Sequence, residues 1–204
     1  MAQTFESRSQ TLIGKILNGV SIMVLLSIIV IVTIFGVKTV RVSGQSMDNT
    51  LHDGTYGVSI AYKPNRTHLK QNDIIIFDGT KEDPNDERVA NKAQHTEFIK
   101  RVIALPGQSV KFDGANIYVD DKKISQPYLT KKNHTVGSNS MDQLTWDLQS
   151  LSTQNSWEMK DKNTTVVPKN SYFVMGDNRA ESEDSRYFGY VEQSNIIAKL
   201  IVHQ

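Results

Sequence analysis

The feature that most constrains this chain is an apolar run over residues 20–37, which contains no charged side chain. Ile, Val and Leu dominate the run, and as a helix it would extend roughly 27 Å, close to the thickness of the hydrocarbon core of a bilayer. In water, a helix that is apolar on all faces would have to be buried on every side. The run therefore predicts a transmembrane anchor over 20–37, preceded by a cytoplasmic tail over 1–19.

Two alternatives to an anchor are open at this point. A cleavable signal peptide also contains an apolar helix, but this run is longer than the usual apolar region and no Ala-x-Ala cleavage sequence follows it. A buried soluble helix would need an apolar partner of similar length, and the sequence offers none. Lys15 and Lys38 flank the run on both sides, so the predicted orientation, with 38–204 outside the cytoplasm, rests on translocation of the long polar remainder.

Residues 38–204 have the pattern of an all-β domain. Short apolar strands alternate with turns rich in Gly, Pro, Asp and Asn, which favours a barrel or a sandwich. The predicted strands are 40–42, 74–77, 97–105, 110–112, 116–119, 171–175 and 195–202.

Two segments do not fit this pattern. Residues 81–95 are charged and turn-rich, and we interpret them as a solvated loop. Residues 131–165 are polar, with few large apolar side chains, and are interpreted as an inserted subdomain or a lid. Within that segment Trp146 and Trp157 either pack locally or lie at the membrane interface, where tryptophan is favoured.

Composition excludes several kinds of chemistry. The sequence has no cysteine, which excludes disulfides and a cysteine nucleophile. Its five histidines are scattered without metal-ligand spacing, so we expect neither a metal nor a cofactor. A net charge of +1 gives no support to a nucleic-acid partner.

Ser46 and Lys100 are the candidate reacting residues. A serine hydroxyl needs a base to remove its proton, and the histidines lack a recognisable triad context. A lysine can serve if it is neutral, which requires burial, because its ordinary pKa is about 10.4. Lys100 lies in a strand pattern with apolar neighbours on both sides. From these residues alone, two alternatives remain open: Lys100 could be an exposed lysine on a strand, and Ser46 could have no catalytic role.

A third segment follows the strand predicted at 171–175. Gly-Asp-Asn-Arg at 176–179 has the composition of a turn at a strand end. Asp184 and Arg186 alternate, so their side chains can lie on one face and pair, and Ser182 could orient a nearby amine. A charged surface loop is the competing interpretation.

Together the three segments resemble the type I signal peptidases, the bacterial leader peptidases, in their Gram-positive form with a single anchor. The family serine lies in Ser-Met-x-Pro-Thr-Leu, matched here by 46–51, and the family lysine stretch is matched by 100–107. The late glycine, aspartate and arginine box is matched by 176–179, 182–186 and Gly189. The resemblance implies an N-terminal transmembrane helix followed by an all-β catalytic domain.

The resemblance also implies roles for individual residues. Ser46 would be the nucleophile and Lys100 the general base, with Ser182 orienting the Lys100 amine. The Ser46 backbone N–H would contribute to the oxyanion hole, and Gly44 stands where some relatives have a hydroxyl. Asp184 and Arg186 would form a supporting ion pair, with Asp177 and Arg101 nearby. Substrate pockets would be lined by Val40, Val42, Leu51 and Ile99.

The implied activity is that of a membrane-bound serine endopeptidase, which removes signal peptides from exported preproteins after Ala-x-Ala. The middle residue of that sequence would matter little. Partners would be preprotein signal peptides, the lipid bilayer and the secretion translocon, and the location would be the bacterial cell membrane with the catalytic domain outside the cytoplasm.

Three departures separate the sequence from the family pattern. Asn49 replaces a proline, Ala180-Glu181 replaces an acidic-Asn pair, and the spacing from Ser46 to Lys100 is long. None of them removes the serine or the lysine. A non-catalytic relative that binds preproteins, and a self-cleaving Ser/Lys repressor, are the competing functions. The retained Ser46, Lys100 and Ser182 disfavour the first, and the absence of a helix-turn-helix pattern disfavours the second.

Overall fold

The computed structural model of the protein describes residues 2–79, 97–130, 145–155 and 157–203. The loop predicted at 81–95 and residues 131–144 of the predicted insertion lie outside the described residues. Contacts divide the chain into two units, Met1–Val37 and Lys38–Gln204.

The first unit is a helix, α1, which spans Ala2–Phe35. Its segment Gly14–Ile34 is long and apolar enough to cross a membrane and is not buried within the protein. The helix begins before the predicted span and ends before its last residues. Gly36 takes a left-handed φ of 61°, a conformation that glycine adopts at no steric cost, and the chain then continues as a strand from Val37.

The second unit is built on a seven-stranded sheet with the order β1-β2-β11-β3-β4-β9-β10. Its described pairs are antiparallel, and β11 lies between β2 and β3. These strands are β1 Val37–Arg41, β2 Tyr56–Ala61, β3 Ile74–Asp78, β4 Glu97–Ala104, β9 Ser171–Met175, β10 Val191–Glu192 and β11 Ile196–His203.

A four-stranded sheet with the order β7-β6-β5-β8 lies in the same unit. It comprises β5 Val110–Phe112, β6 Ile117–Val119, β7 Lys122–Lys123 and β8 Trp146–Asp147, and β8 leads into α2, Leu148–Gln154. Asp147 caps α2 by accepting the Ser150 N–H at 2.8 Å. The mostly β fold predicted from the sequence is confirmed by the two sheets.

The two tryptophans pack locally, as one of the two interpretations held. Trp146 is 3 % exposed and stacks on Phe112 with ring centroids 5.8 Å apart. Trp157 is 2 % exposed and meets Tyr190 edge to face at 5.1 Å. The described part of the predicted insertion therefore contributes Trp146, Leu148, Leu151 and Trp157 to the apolar core of the domain.

Candidate active site

Ser46 lies in the connection between β1 and β2, which is held by turns. Gly44 has a φ of 96°, and its N–H donates to the Asp53 carboxylate at 3.0 Å. Beyond the serine, the Leu51 N–H donates to the Met47 carbonyl at 2.8 Å. Met47 and Leu51 are 1 % and 0 % exposed, so the loop is anchored in the core while Ser46 stays half-buried.

Lys100 reaches Ser46 from β4. Its Nζ lies 2.8 Å from Ser46 Oγ, and the residue is buried. The Phe98 ring is on the same side, with its centroid 5.4 Å from the amine. Ser46 and Lys100, which the sequence analysis singled out, are thus in direct contact although 54 residues separate them.

The end of β9 is fastened to the backbone of the Ser46 loop. The Asn178 N–H donates to the Ser46 carbonyl at 3.0 Å, and Asn178 Nδ2 donates to the Gln45 carbonyl at 3.1 Å. Gly176 lies at the same junction, where an added Cβ would collide with Ser182 Oγ and with the Ser46 carbonyl. Glycine is needed here because a side chain would not fit in this close approach. Its φ is not positive, so the backbone conformation itself does not require glycine.

Arg101 and Asp177 form a buried ion pair beside these groups. Arg101 Nε donates to Asp177 Oδ1 at 2.8 Å, and Arg101 Nη2 donates to Asp177 Oδ2 at 2.5 Å. The Thr50 hydroxyl also donates to Asp177. Because Thr50 belongs to the Ser46 loop, one carboxylate connects that loop, β4 and the end of β9.

Asp184 and Arg186 form a second ion pair, which is fully buried, at 2.9 Å. The pairing does not arise from strand alternation: Asp184 caps a short helix, α3, Ser185–Phe188, by accepting the Arg186 N–H. Burial acts to raise the pKa of Asp184, but the Arg186 charge and hydrogen bonds, including one from the Gly176 N–H at 3.0 Å, hold it below its usual value. The carboxylate therefore remains ionised.

Ser182 is also brought to the site, without the hydrogen bond that the resemblance implied. It is 5 % exposed, and its Oγ has no hydrogen-bond partner among the described residues. Its position beside the Ser46 carbonyl is fixed by the close approach at Gly176. The hydroxyl is therefore close to the Ser46 backbone but is not bonded to the Lys100 amine in this structure.

A cavity of about 410 Å³ opens over Ser46 and Lys100. Of the four predicted pocket residues, Val42 and Ile99 line it, together with Met47 and Phe98. Leu51 lies behind them in the core with Val42, and Val40 is half-buried on β1. Among the described residues, the apolar side chains that line the cavity beside the serine are thus Val42, Met47, Phe98 and Ile99.

Several contributing residues were not assigned roles from the sequence. Arg179 is 1 % exposed and donates to the Gly176 carbonyl at 3.0 Å and to Gln126 Oε1. Burial lowers the pKa of Arg179 to about 10. The Tyr128 ring covers the Arg101 guanidinium at 3.9 Å. Arg179 stood in the matched box, whereas nothing in the sequence pointed to Gln126 or Tyr128.

Comparison with known proteins identifies one family over most of the chain. The family described as "Signal peptidase, peptidase S26" matches residues 16–203. Signal peptidase IB of Staphylococcus aureus is 33 % identical over 183 residues, covering 89 % of this chain and 84 % of the relative. Signal peptidase I V of Bacillus subtilis strain 168 is 32 % identical over 159 residues, covering 77 % and 79 %.

A crystal structure of a signal peptidase I from Enterococcus faecalis V583 is 27 % identical, covers 64 % of this chain and 94 % of that one, and superposes with a TM-score of 0.45. The family match defines the class of the protein as a peptidase of the serine type. The chain belongs to the signal peptidase family, peptidase S26.

Proposed function

We propose that this protein cleaves signal peptides by a Ser/Lys mechanism in which Ser46 is the nucleophile and Lys100 the general base. The observation that supports this most directly is the 2.8 Å contact between Lys100 Nζ and Ser46 Oγ. Burial of Lys100 disfavours its ammonium form, and a neutral amine can accept the serine proton as Oγ attacks the scissile carbonyl. Lys100 then donates this proton to the leaving amine as the scissile C–N bond breaks and the acyl-enzyme forms. Now neutral again, Lys100 removes a proton from a water molecule, which hydrolyses the acyl-enzyme and frees Ser46.

The oxyanion formed in this attack would be stabilised by the Ser46 N–H. Gly44 supplies no hydroxyl, and its own N–H is already bonded to Asp53. Ser182 would orient the amine once a bound substrate excludes water. Arg101, Asp177, Asp184 and Arg186 would hold the reacting residues in position without contacting the substrate.

A substrate would bind as an extended strand beside the first half of β4. β9 pairs with the second half, from Arg101 to Ala104, whereas residues 97–100 line the cavity. Side chains of such a peptide alternate, so the residues one and three before the cut would face the apolar wall formed by Val42 and Ile99. That wall favours Ala-x-Ala.

The anchor would hold this cleft at the outer surface of the membrane. We propose that residues 1–19 lie in the cytoplasm, that 20–37 cross the membrane and that 38–204 form the extracytoplasmic domain, with 131–165 as an insertion. Preproteins leaving the translocon would then present their cleavage sites near Ser46. Protease added to spheroplasts should remove the region around Gly176, and protection of that region would reverse the orientation.

The mechanism is tested with purified full-length protein in detergent and a preprotein carrying an Ala-x-Ala site. Ser46→Ala, Lys100→Ala and Lys100→Arg should each lose cleavage, the last because arginine stays protonated. Ser125→Ala, which replaces an exposed serine, is the matched control and should cleave normally. Appreciable cleavage by Ser46→Ala, with its fold checked by circular dichroism, would exclude the mechanism.

A further inference from the structure

The Ser46 loop is attached through its backbone to the turn at 176–179, which we call the site turn. Asn178 donates its backbone N–H to the Ser46 carbonyl at 3.0 Å and its side-chain amide to the preceding carbonyl at 3.1 Å. Gly176 approaches the Ser46 carbonyl so closely that a Cβ would collide with it. The position of the site turn therefore decides whether Ser46 Oγ stays within reach of Lys100 Nζ.

A buried arginine, Arg179, holds the site turn in shape. The residue is 1 % exposed, and its Nε donates to the Gly176 carbonyl at 3.0 Å. Burial lowers the pKa of Arg179 to about 10, so the guanidinium keeps its charge at neutral pH. A guanidinium only donates hydrogen bonds, and water does not reach a group buried this deeply. Each of its N–H groups that lost its acceptor would therefore carry the full cost of desolvation.

Gln126 supplies one of these acceptors from a distant part of the chain. Its Oε1 accepts a hydrogen bond from Arg179 Nη2, and the residue is buried. The Tyr128 hydroxyl is a further partner of the same guanidinium. Gln126 follows the last strand of the β5–β7 meander, so its contact joins the four-stranded sheet to the site turn. It is not among the described residues that line the cavity over Ser46, and any effect on catalysis must pass through Arg179.

We propose that Gln126 is a positioning residue for Ser46, acting through Arg179 and the site turn. The inference rests on the proposed function, in which Ser46 is the nucleophile. Without the Gln126 oxygen, the guanidinium would turn toward another acceptor and its Nε would no longer hold the Gly176 carbonyl. The site turn would then shift together with the serine backbone bonded to it, and Ser46 Oγ would move away from Lys100 Nζ.

The activity test uses full-length protein in detergent and the Ala-x-Ala preprotein, far below the melting temperature of each variant. Gln126→Met keeps the length of the side chain but has no oxygen, and should lower kcat by about ten- to 100-fold while KM changes by less than about twofold. Gln126→Glu restores an oxygen acceptor and adds a counter-charge for Arg179, so kcat should stay within about threefold of wild type. If Gln126→Met fails to fold, Gln126→Asn, whose oxygen is one methylene too short, should show the same loss.

A second measurement follows the position of residue 46 without catalysis. The sequence has no cysteine, so Ser46→Cys introduces a single thiol next to the Lys100 amine. A thiol beside a lysine has a pKa below the ordinary value of about 8.5, and the pH dependence of its alkylation by iodoacetamide gives that pKa. Adding Gln126→Met should return the thiol pKa most of the way to about 8.5, whereas adding Gln126→Glu should leave it lowered.

Ser152→Ala is the control for a loss of stability alone. The Ser152 hydroxyl is fully buried, donates to the Gln149 carbonyl at 2.9 Å and accepts the Asn163 N–H at 2.9 Å. Its removal should destabilise the domain, because it leaves a buried N–H without an acceptor. It should change neither kcat nor the thiol pKa.

The outcomes separate the positioning role from the proposed function. A kcat of Gln126→Met within about threefold of wild type, or a thiol pKa that does not respond to Gln126→Met, overturns the positioning role and leaves the proposed function standing. Losses of the same size in Ser152→Ala also overturn it, because they would show that instability alone is responsible. Cleavage by Ser46→Ala overturns the proposed function itself, and the positioning role with it.

Discussion

Arg101 and Asp177 meet through two parallel hydrogen bonds at 2.8 Å and 2.5 Å, with their side chains 8 % and 0 % exposed. Arg101 directly follows Lys100 on β4, and Asp177 directly follows Gly176 at the end of β9. The pair therefore fixes the position of the strand bearing the proposed base relative to the loop bearing the proposed nucleophile.

Removing the charge of Asp177 should be costly. Asp177→Asn leaves Arg101 as a buried cation without its counter-charge, which costs about 3–5 kcal/mol in proteins. We expect a loss of that order in the free energy of unfolding, measured by denaturant titration, and a lower kcat. Asp121→Asn removes a carboxylate from the exposed pair with Lys111 and should change stability by less than about 1 kcal/mol. Equal effects of the two substitutions would contradict this assignment.

A methyl group at residue 176 should be poorly tolerated. Gly176→Ala directs a Cβ into Ser182 Oγ and the Ser46 carbonyl, so either the hydroxyl or the serine loop must move. A misplacement of about 1 Å near the proposed nucleophile, Ser46, can lower activity by about 100-fold. We therefore expect kcat to fall while KM changes less. Gly14→Ala, with open space around the site, is the control. Normal kcat in Gly176→Ala would show that the loop yields without consequence.

Asp161 should make stability depend on pH. Burial raises the pKa of Asp161 to about 6, compared with about 3.9 in an unfolded chain. The folded state therefore holds this proton more tightly. The stabilising contribution of Asp161 is complete below about pH 4 and is lost as the pH rises through about 6.

Asp161→Asn should accordingly be neutral near pH 4 and stabilising above pH 7, by at most about 3 kcal/mol. Thermal melting of both proteins across this range gives the difference directly. Ser125→Ala, at an exposed residue that does not titrate, is the control and should show no such trend. A difference in melting temperature that is constant across the range would mean that the Asp161 proton is not linked to folding.

The Tyr128 ring should stabilise the folded domain by stacking on the Arg101 guanidinium. The Arg101 guanidinium lies 3.9 Å from the ring centroid, whereas the hydroxyl is 3.4 Å from Asn72 Oδ1. Tyr128→Phe keeps the ring and removes only the hydroxyl interactions with Asn72 and Arg179, so it should lose less unfolding free energy than Tyr128→Leu. Tyr128→Leu should lose about 1–2 kcal/mol. If the two variants lost the same amount, the hydroxyl rather than the stacking would be responsible.

The sequence was informative wherever a strand combines apolar side chains with clear turns at its ends. β3, β5 and β9 have the predicted bounds apart from Asp78, which extends β3 by one residue. β2 was not predicted. Its buried positions include Gly57 and Ser59, so its inward side lacks the large apolar residues by which a strand is recognised.

The site was predictable to the extent that its residues stand in motifs. The resemblance supplied Ser46, Lys100 and the Asp184–Arg186 ion pair, and it placed Asp177 and Arg101 nearby without pairing them. The helix cap through which Asp184 contacts Arg186 is not revealed by alternation. The contacts of Gln126 with Arg179 and of Tyr128 with Arg101 join segments far apart in sequence. Such contacts follow from tertiary packing and leave no local pattern.

The central place of β11 has a consequence for when the enzyme becomes active. β11 pairs with both β2 and β3, so until residues 196–203 have been synthesised the sheet has a gap in its middle, between the side that carries the Ser46 loop (β1 and β2) and the side that carries Lys100 (β3 and β4). Pairings between distant segments also form slowly. A growing chain would therefore be inactive while it is being synthesised. The strand order would delay the first cleavage until β11 has joined the sheet.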